Sequence, residues 1–410
     1  MSAGAWRQSA CCADATYRAT TGDHVASMTV YDTVDWWRGE CPRFGEPREI
    51  ANFSRVGREG RYVDSSVQRK YLIAEIPVEP LWDLNHGYDT AIRRDWTRKR
   101  VAYGLYRSVL QNIDVLAQSP SSQTKFTEAA SHGVHSPLLD FVICRSSSVA
   151  QLLRTPFSES AWEFMACRFR GAVHLQEMMT QKWREDRYRQ MMDSREDRTT
   201  YWGMKFPQYM ASFEPGTTPD VQAVLNEMEE YKVVVRNCFG SHALVMSATM
   251  KAVDPRYEPG STQGYVVFRT NQVLSTHRQH IRFGNKLLEW WSVSVPIGVP
   301  RILAGFRNKG GIVQSVEEFQ VHEIPAKAKG MWSDDVCLGF LDQFLCFLKD
   351  QVREDDGKTV YHFEYQPHLR KVICTRLPGT DECAILPSWY LQAHDRKELY
   401  STRTQDEPLL

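Results

Sequence analysis

The chain has 410 residues, 42% of them hydrophobic and 11% aromatic, which suffices to bury a large core in one big domain or two of average size. Fifty basic residues balance fifty acidic ones, so a globally basic nucleic-acid binder is excluded and any basic surface has to be local. No apolar run reaches membrane-spanning length, and the opening of the chain lacks a basic start followed by an apolar block, so neither a membrane span nor a secretory leader is expected.

From Met1 to about Thr29 the chain is rich in Ala, Ser and Thr without periodicity, which predicts a disordered tail. A domain is then expected over 30–392, followed by a polar tail over 393–410. Phe53–Ser54, Tyr62 and Tyr71–Leu72 suggest short strands and turns, and Trp82–Tyr88 reads as a loop. Ala91–Ile113 carries a helical pattern. Its basic cluster of Arg93, Arg94, Arg98, Lys99 and Arg100 reads as a solvated helix face, with an import signal or an RNA-facing patch as the sharper alternatives. The Ser-rich segment 118–137 is a predicted loop or insertion.

Phe141–Arg154 looks like a strand running into a helix, with Arg145 near the junction. Phe169–Leu175 is strand-like. Gln181–Arg198 alternates charge signs, as an exposed helix does, and Val221–Asn237 reads as an acidic helix passing into a strand. Ala243–Ala252 and Gly264–Asn271 are predicted strands separated by a turn rich in Pro and Gly. Residues two apart on a strand share a face, so Thr249 pairs with Lys251, and Val267 with Arg269. Thr276–Trp291 is a predicted helix with Ser/Thr capping candidates. Arg301–Phe306 is a buried strand, Val336–Lys349 a core-facing helix, and Val360–Tyr365 and Lys371–Cys374 are strands. The pattern as a whole predicts one mixed α/β domain with twisted mixed sheets flanked by helices.

Generic chemistry is scarce. There is no P-loop, no GxGxxG after a strand, no HExxH and no GxSxG. The ten cysteines lack zinc spacing and are expected as reduced thiols in an intracellular protein, many of them in the core. His277 and His280 lie three apart on a predicted helix with no third ligand in view and read as ordinary helix residues.

Several stretches nevertheless resemble one family, in order and in spacing: Trp82–Tyr88, Arg145 with Leu152–Phe157 (LLRTPF), Tyr201–Met210 (YWGMKFPQYM), Gly240–Leu244 (GSHAL), Tyr265–Thr270, Lys286–Trp291 (KLLEWW), Gly298–Asn308 (GVPRILAGFRN) and Leu386–Tyr390 (LPSWY). The family is that of the decapping exoribonucleases, and the likeness runs from roughly residue 41 to 392. It implies a mixed α/β fold and divalent-metal removal of incomplete, NAD and other non-standard 5′ caps with 5′-end degradation of RNA. The catalytic positions depart from the pattern. The family's Gly-aromatic-x-aromatic-Glu motif reads here as Gly203-Met204-Lys205-Phe206-Pro207. Its Glu-x-Asp motif reads Thr249-Met250-Lys251, its Glu-x-Lys motif Val267-Phe268-Arg269, and its glutamine after the paired tryptophans Val293. A substrate-lining cysteine becomes Lys232, and the motif arginine is retained as Arg145.

Mg²⁺ requires hard oxygen ligands, and a two-metal site works only if anionic ligands hold both ions. A divalent cation about 4 Å from one ammonium is repelled by roughly 8 kcal/mol at an effective dielectric of 20. No catalytic residues, no metal ligands and no metal cofactor are therefore expected. Arg145, Lys232, Lys251 and Arg269 are instead candidate RNA-phosphate ligands, since Arg and Lys hold phosphate oxygens through charge-assisted hydrogen bonds. Three readings stay open: an RNA 5′-end binder without catalysis, a protein scaffold whose pocket has drifted, and an active enzyme using ligands such as Glu177 or Asp254. The pattern of lost motifs most resembles the degenerate branch typified by Cutoff. That likeness implies a nuclear germline role, partners of the Rhino and Deadlock kind, and protection of piRNA precursors from processing and termination.

Overall fold

The structure, a computed structural model, describes residues 22–34, 40–94, 102–116, 139–378 and 383–394. Its strands are β1 (Asp23–Thr29), β2 (Arg48–Val56), β3 (Arg61–Val63), β4 (Tyr71–Leu72), β5 (Trp82–Asp83), β6 (Phe141–Ile143), β7 (Trp162–Phe169), β8 (Ala172–Met178), β9 (Ala211–Ser212), β10 (Glu230–Phe239), β11 (His242–Met250), β12 (Ala252–Val253), β13 (Tyr265–Gln272), β14 (Arg301–Arg307), β15 (Ile312–Gln320), β16 (Tyr361–Gln366) and β17 (Lys371–Arg376). The helices are α1 (Tyr103–Gln111), α2 (Ile113–Leu116), α3 (Ser146–Arg154), α4 (Gln181–Met192), α5 (Ser194–Met210), α6 (His277–Ser294), α7 (Ile324–Lys327) and α8 (Asp334–Gln351).

Ten strands form one sheet, in the order β1-β17-β16-β7-β8-β6-β11-β10-β2-β3, and seven form a second, β5-β15-β14-β13-β12-β4-β9. Both are mixed: β6 runs parallel to β8 and β11, and β13 runs parallel to β14, while most other neighbours are antiparallel. The centre of the large sheet is apolar on both faces. Val233 and Val235 of β10, Leu244 and Met246 of β11, and Phe141 and Ile143 of β6 face one core, with α3, α6 and α8. The alternate residues Val234, Val245 and Val142 face a second core with α1 and Tyr390. Two-sided burial explains why these strands read as continuous apolar runs rather than alternating ones. The first core also takes in Ile302, Ala304 and Phe319 of the smaller sheet. The outer face of that sheet, with Val266, Phe268 and Leu303, is covered by Tyr201, Trp202, Phe206 and Met210 of α5.

The expected strands at β2–β4, β6, β11, β13, β14, β16 and β17 are present, as are helices α3, α6 and α8. α6 opens on a reciprocal capping box between Thr276 and Gln279. The eight described cysteines are free thiols, five of them buried.

Five expectations need correction. The predicted disordered tail over 1–29 ends too late, because Asp23–Thr29 is an edge strand registered on β17, with Met28 opposite Val372; residues 1–21 lie outside the described residues. The helix over 91–113 shrinks to α1 and α2. Ile92 instead bridges to Asn226, and Arg93 and Arg94 hold carboxylates rather than facing water. Phe169–Leu175 is not one strand but the tip of the β7–β8 hairpin, turned at Arg170 (φ 53°) and Gly171 (φ 79°), the two positive φ angles that tight hairpins demand. The charged run 181–198 is two helices, broken where Asp193 caps α5 through the Arg195 and Glu196 amides. Val221–Glu229 is turns, not helix. The segment 118–137, Arg98, Lys99 and Arg100, and residues 395–410 of the expected polar tail lie outside the described residues, and 388–394 is helical.

Candidate nucleic-acid cleft

The antiparallel register of β10 and β11 sets Lys232 directly opposite Thr249. The Lys232 ammonium donates to Thr249 Oγ1 at 2.6 Å, and that hydroxyl faces Glu230 Oε1 at 3.4 Å. Glu230 sits two residues before Lys232, on the same strand face. Its carboxylate lies 2.7 Å from Arg94 Nη2, 3.8 Å from Lys232 Nζ and 4.0 Å from Arg55 Nε. Burial alone would push this carboxyl up, but Lys232, Arg94 and Lys251 overcome it and hold it well below the usual carboxylate range. Burial lowers the Lys232 ammonium to about 8; Glu230 opposes the shift and the neighbouring Arg145, Arg94 and Arg55 reinforce it.

Lys251 occupies the bend where the chain leaves β11 in the large sheet and enters β12 in the smaller one. The mixed ladder thus places it at the seam of the two sheets. The residue is exposed, yet the protein crowded around its ammonium lowers its pKa, with Glu230 acting against the shift. Arg145 occupies the N-cap position of α3 in extended conformation, immediately after β6, and is exposed. Among the described residues, neither the Arg145 guanidinium nor the Lys251 ammonium has a hydrogen-bond or ion-pair partner.

On β13, the alternation places Val266 and Phe268 in the core under α5, and Val267 and Arg269 on the opposite, half-buried face. Arg269 donates from Nη1 only to its neighbour's Phe268 carbonyl, and its Nε is buried without a partner. Burial lowers its pKa; Glu289 of α6 offsets this and Arg154 of α3 adds to it.

The six degenerate motif positions fall as follows. Thr249, Lys251, Val267 and Arg269 come together at the sheet seam. Pro207 is buried inside α5, where it replaces an intrahelical N–H. Val293 is half-buried on α6. Of the two acidic candidates, Asp254 is buried and fully engaged by Arg256, at 2.7 Å, and by Arg301. Glu177 of β8 reaches the cleft, where Ser148 of α3 approaches it at 3.4 Å. Protein crowding raises its carboxyl, and Arg145 acts against that shift. Sequence reasoning missed Glu230 and Arg55 and gave no site role to Arg154 and Glu289, which stand in the LLRTPF and KLLEWW stretches, while Arg94 belongs to the basic cluster with an RNA-facing patch as its alternative. Glu230 carries a signal in its spacing of two from Lys232.

The 45–391 segment matches the family of RAI1-like PD-(D/E)XK nucleases. The human decapping and exoribonuclease protein is 32% identical over 369 residues, covering 87% of each chain, and the mouse protein is 29% identical over 386 residues, 91% of this chain and 89% of its own. The crystal structure of Candida albicans Rai1 in complex with pU5 and Mn²⁺ superposes with a TM-score of 0.75 at 17% identity, over 91% of this chain and 100% of that one. That of Scheffersomyces stipitis Rai1 gives 0.73 at 18%, over 87% and 98%. These likenesses establish the fold, a mixed α/β architecture of twisted sheets and helices.

The family's signature asks for carboxylates with a nearby lysine, and the groups at the positions read as their counterparts here are a hydroxyl, an ammonium, an isopropyl and a guanidinium. Of the carboxylates nearby, Glu230 and Asp254 are engaged by cations, Glu177 is raised in pKa, and Glu289 faces Arg154 and Arg269. This donor set does not fit a hard divalent ion. The match over most of the chain, together with the human relative, makes it a member of the RAI1-like PD-(D/E)XK nuclease family, among the decapping exoribonucleases.

Proposed function

We propose that this chain binds RNA 5′ ends through a phosphate-holding cleft and does not cut them. One observation carries the reading: at the seam of the sheets, where a metal-dependent nuclease needs carboxylates, Arg145 and Lys251 are accessible cations with no partner, and Arg269 has only a backbone carbonyl. Unpaired cations in a recess are held apart by their mutual repulsion, and an anionic ligand relieves that repulsion. Planar guanidinium groups and an ammonium suit terminal phosphate oxygens. The buried Glu230 offsets part of the charge on the floor of the cleft, where Lys232, Arg94 and Arg55 crowd together, and leaves the accessible cations at its mouth for a ligand.

The test is binding of 5′-monophosphate RNA by the purified protein across a salt series. Arg145→Glu with Lys251→Glu should weaken binding by about 10- to 100-fold per lost charged contact and flatten the salt dependence by about 0.7 in log–log slope per contact. Unchanged affinity and slope in a folded double variant would remove the cleft from RNA binding. Metal-dependent release of nucleotides or NAD by the unmodified protein would overturn the absence of catalysis.

The wider role extends the same reading. The loss of motif carboxylates resembles the Cutoff branch, so we place the protein in the nucleus, in a chromatin-bound complex of the Rhino and Deadlock kind that shields piRNA precursors from processing and termination. Co-expression with such partners should yield a complex that co-elutes, and separate elution would remove this part. A second reading, hydrolysis with atypical ligands, rests on Glu177 and Glu289. Both sit beside Arg154, which a metal would have to displace.

A further inference from the structure

At the opposite end of β11 from the cleft, three donors converge. His242 opens β11 and is buried. Asp342 and Cys346 lie four apart on α8, on one helix face. His242 Nε2 is 3.2 Å from Asp342 Oδ1 and 3.8 Å from Cys346 Sγ, and the three ligand atoms all lie within 4.8 Å of one another. His242 and Thr249 are seven residues apart on one strand, about 23 Å at ~3.3 Å per residue, so this cluster is separate from the cleft.

A nucleophilic triad would use both ring nitrogens, one toward the thiol and one toward the carboxylate. Here both partners address the same nitrogen, and Nδ1 is buried without a hydrogen bond. Convergence on a single point is the geometry of shared coordination. Tetrahedral zinc, with Zn–N and Zn–O near 2.0 Å and Zn–S near 2.3 Å, sets N–O and N–S separations of ~3.3 and ~3.5 Å, close to those found. The proton would reside on Nδ1, freeing the Nε2 lone pair. Mixed nitrogen, sulfur and carboxylate donors favour a borderline ion such as Zn²⁺ over Mg²⁺ or Ca²⁺. Cys346 is exposed, so an ion can enter from solvent and keep water as its fourth ligand.

We propose that His242, Asp342 and Cys346 form a zinc site that clamps α8 to the start of β11.

Co²⁺ is the probe, because its bond to a thiolate gives a charge-transfer absorption band. The full chain, stripped with chelator under reducing conditions, should take up one Co²⁺ with that band, lose it on adding Zn²⁺, and melt at a higher temperature with Zn²⁺ but not with Mg²⁺. Cys346→Ser should abolish the band, and Asp342→Asn should weaken binding by at least ~10-fold. Both variants alter solvent-accessible side chains, and circular dichroism checks their folding. Arg145→Glu/Lys251→Glu should keep the band, which separates this site from the cleft. Absence of a band in the unmodified protein, its survival in Cys346→Ser, or an equal shift with Mg²⁺ would overturn the site.

Discussion

The two faces of β13 make opposite use of one strand. Val266 and Phe268 point under α5, where Phe206 meets Phe268 edge-on with ring centroids 6.1 Å apart. Phe206 also presses so close to β14 that a Cβ on Gly305 would fall 2.7 Å from its ring. Val267 and Arg269, one residue along, are only half-buried, Val267 resting against the edge of the main core. The packed face is fixed by shape, because interiors are as dense as crystals and a changed methylene is felt. The half-buried cleft face is set more by charge and solvation than by tight packing, so its chemistry can change while the sheet stays intact. That asymmetry lets one chain keep the family's fold with Thr249, Lys251, Val267 and Arg269 on its cleft face.

The strongest way to break this comparison is to write the acids back. The variant Thr249→Glu, Lys251→Asp, Val267→Glu and Arg269→Lys changes only the cleft face and should still fold. It should gain Mn²⁺ affinity, from none detectable to a millimolar Kd or tighter by calorimetry, a standard binding free energy of about −4 kcal/mol or better. A variant that folds and still ignores Mn²⁺ would mean that the cleft lost more than its ligands.

The packed face gives the next effect. Phe206 is fully buried against Trp82 and Phe268, so Phe206→Ala should cost about 3–5 kcal/mol in urea unfolding. Val267→Ala, on the same sheet but the other face, should cost no more than about 1.5 kcal/mol. Similar costs for the two would dissolve the distinction between the faces.

The sequence exposes these faces unevenly. The period of two along β11 and β13 puts Thr249 with Lys251, and Val267 with Arg269, and the strand-to-helix pattern around Phe141–Arg154 puts Arg145 at a junction. These are local signals, carried by adjacent residues. Partners far along the chain leave no local trace. The Asp23–Thr29 strand exists because β17 supplies its ladder from the other end of the chain. Arg93 and Arg94 looked like a solvated helix face because a run of basic residues usually is one. Their partners Glu227 and Glu230 are more than a hundred residues away and appear only once the sheet brings them close. For the same reason the cleft reads from sequence as purely cationic, whereas its floor is an ion cluster in which Glu230 faces three cations.

That cluster yields the smallest effect and the sharpest probe of the cleft floor. Lys232 is lowered to about 8 from an ordinary 10.5, so between those values the unfolded chain binds more protons than the folded one. Stability therefore rises with pH through this window, and below pH 8 the folded state bears the full cost of the buried charge. The gain between pH 7.5 and 10 should be on the order of 2 kcal/mol, set by a shift worth about 1.4 kcal/mol per pKa unit. Lys232→Met should abolish that part of the pH dependence, read as the difference in urea midpoints between the two proteins at each pH. RNA affinity should move the other way, falling above pH 8 in the unmodified protein as the ammonium gives up its proton, because a phosphate favours the charged form. If instead stability stays flat or falls through this window and affinity does not drop, Lys232 keeps its proton throughout, and Glu230 holds it more firmly than burial weakens it.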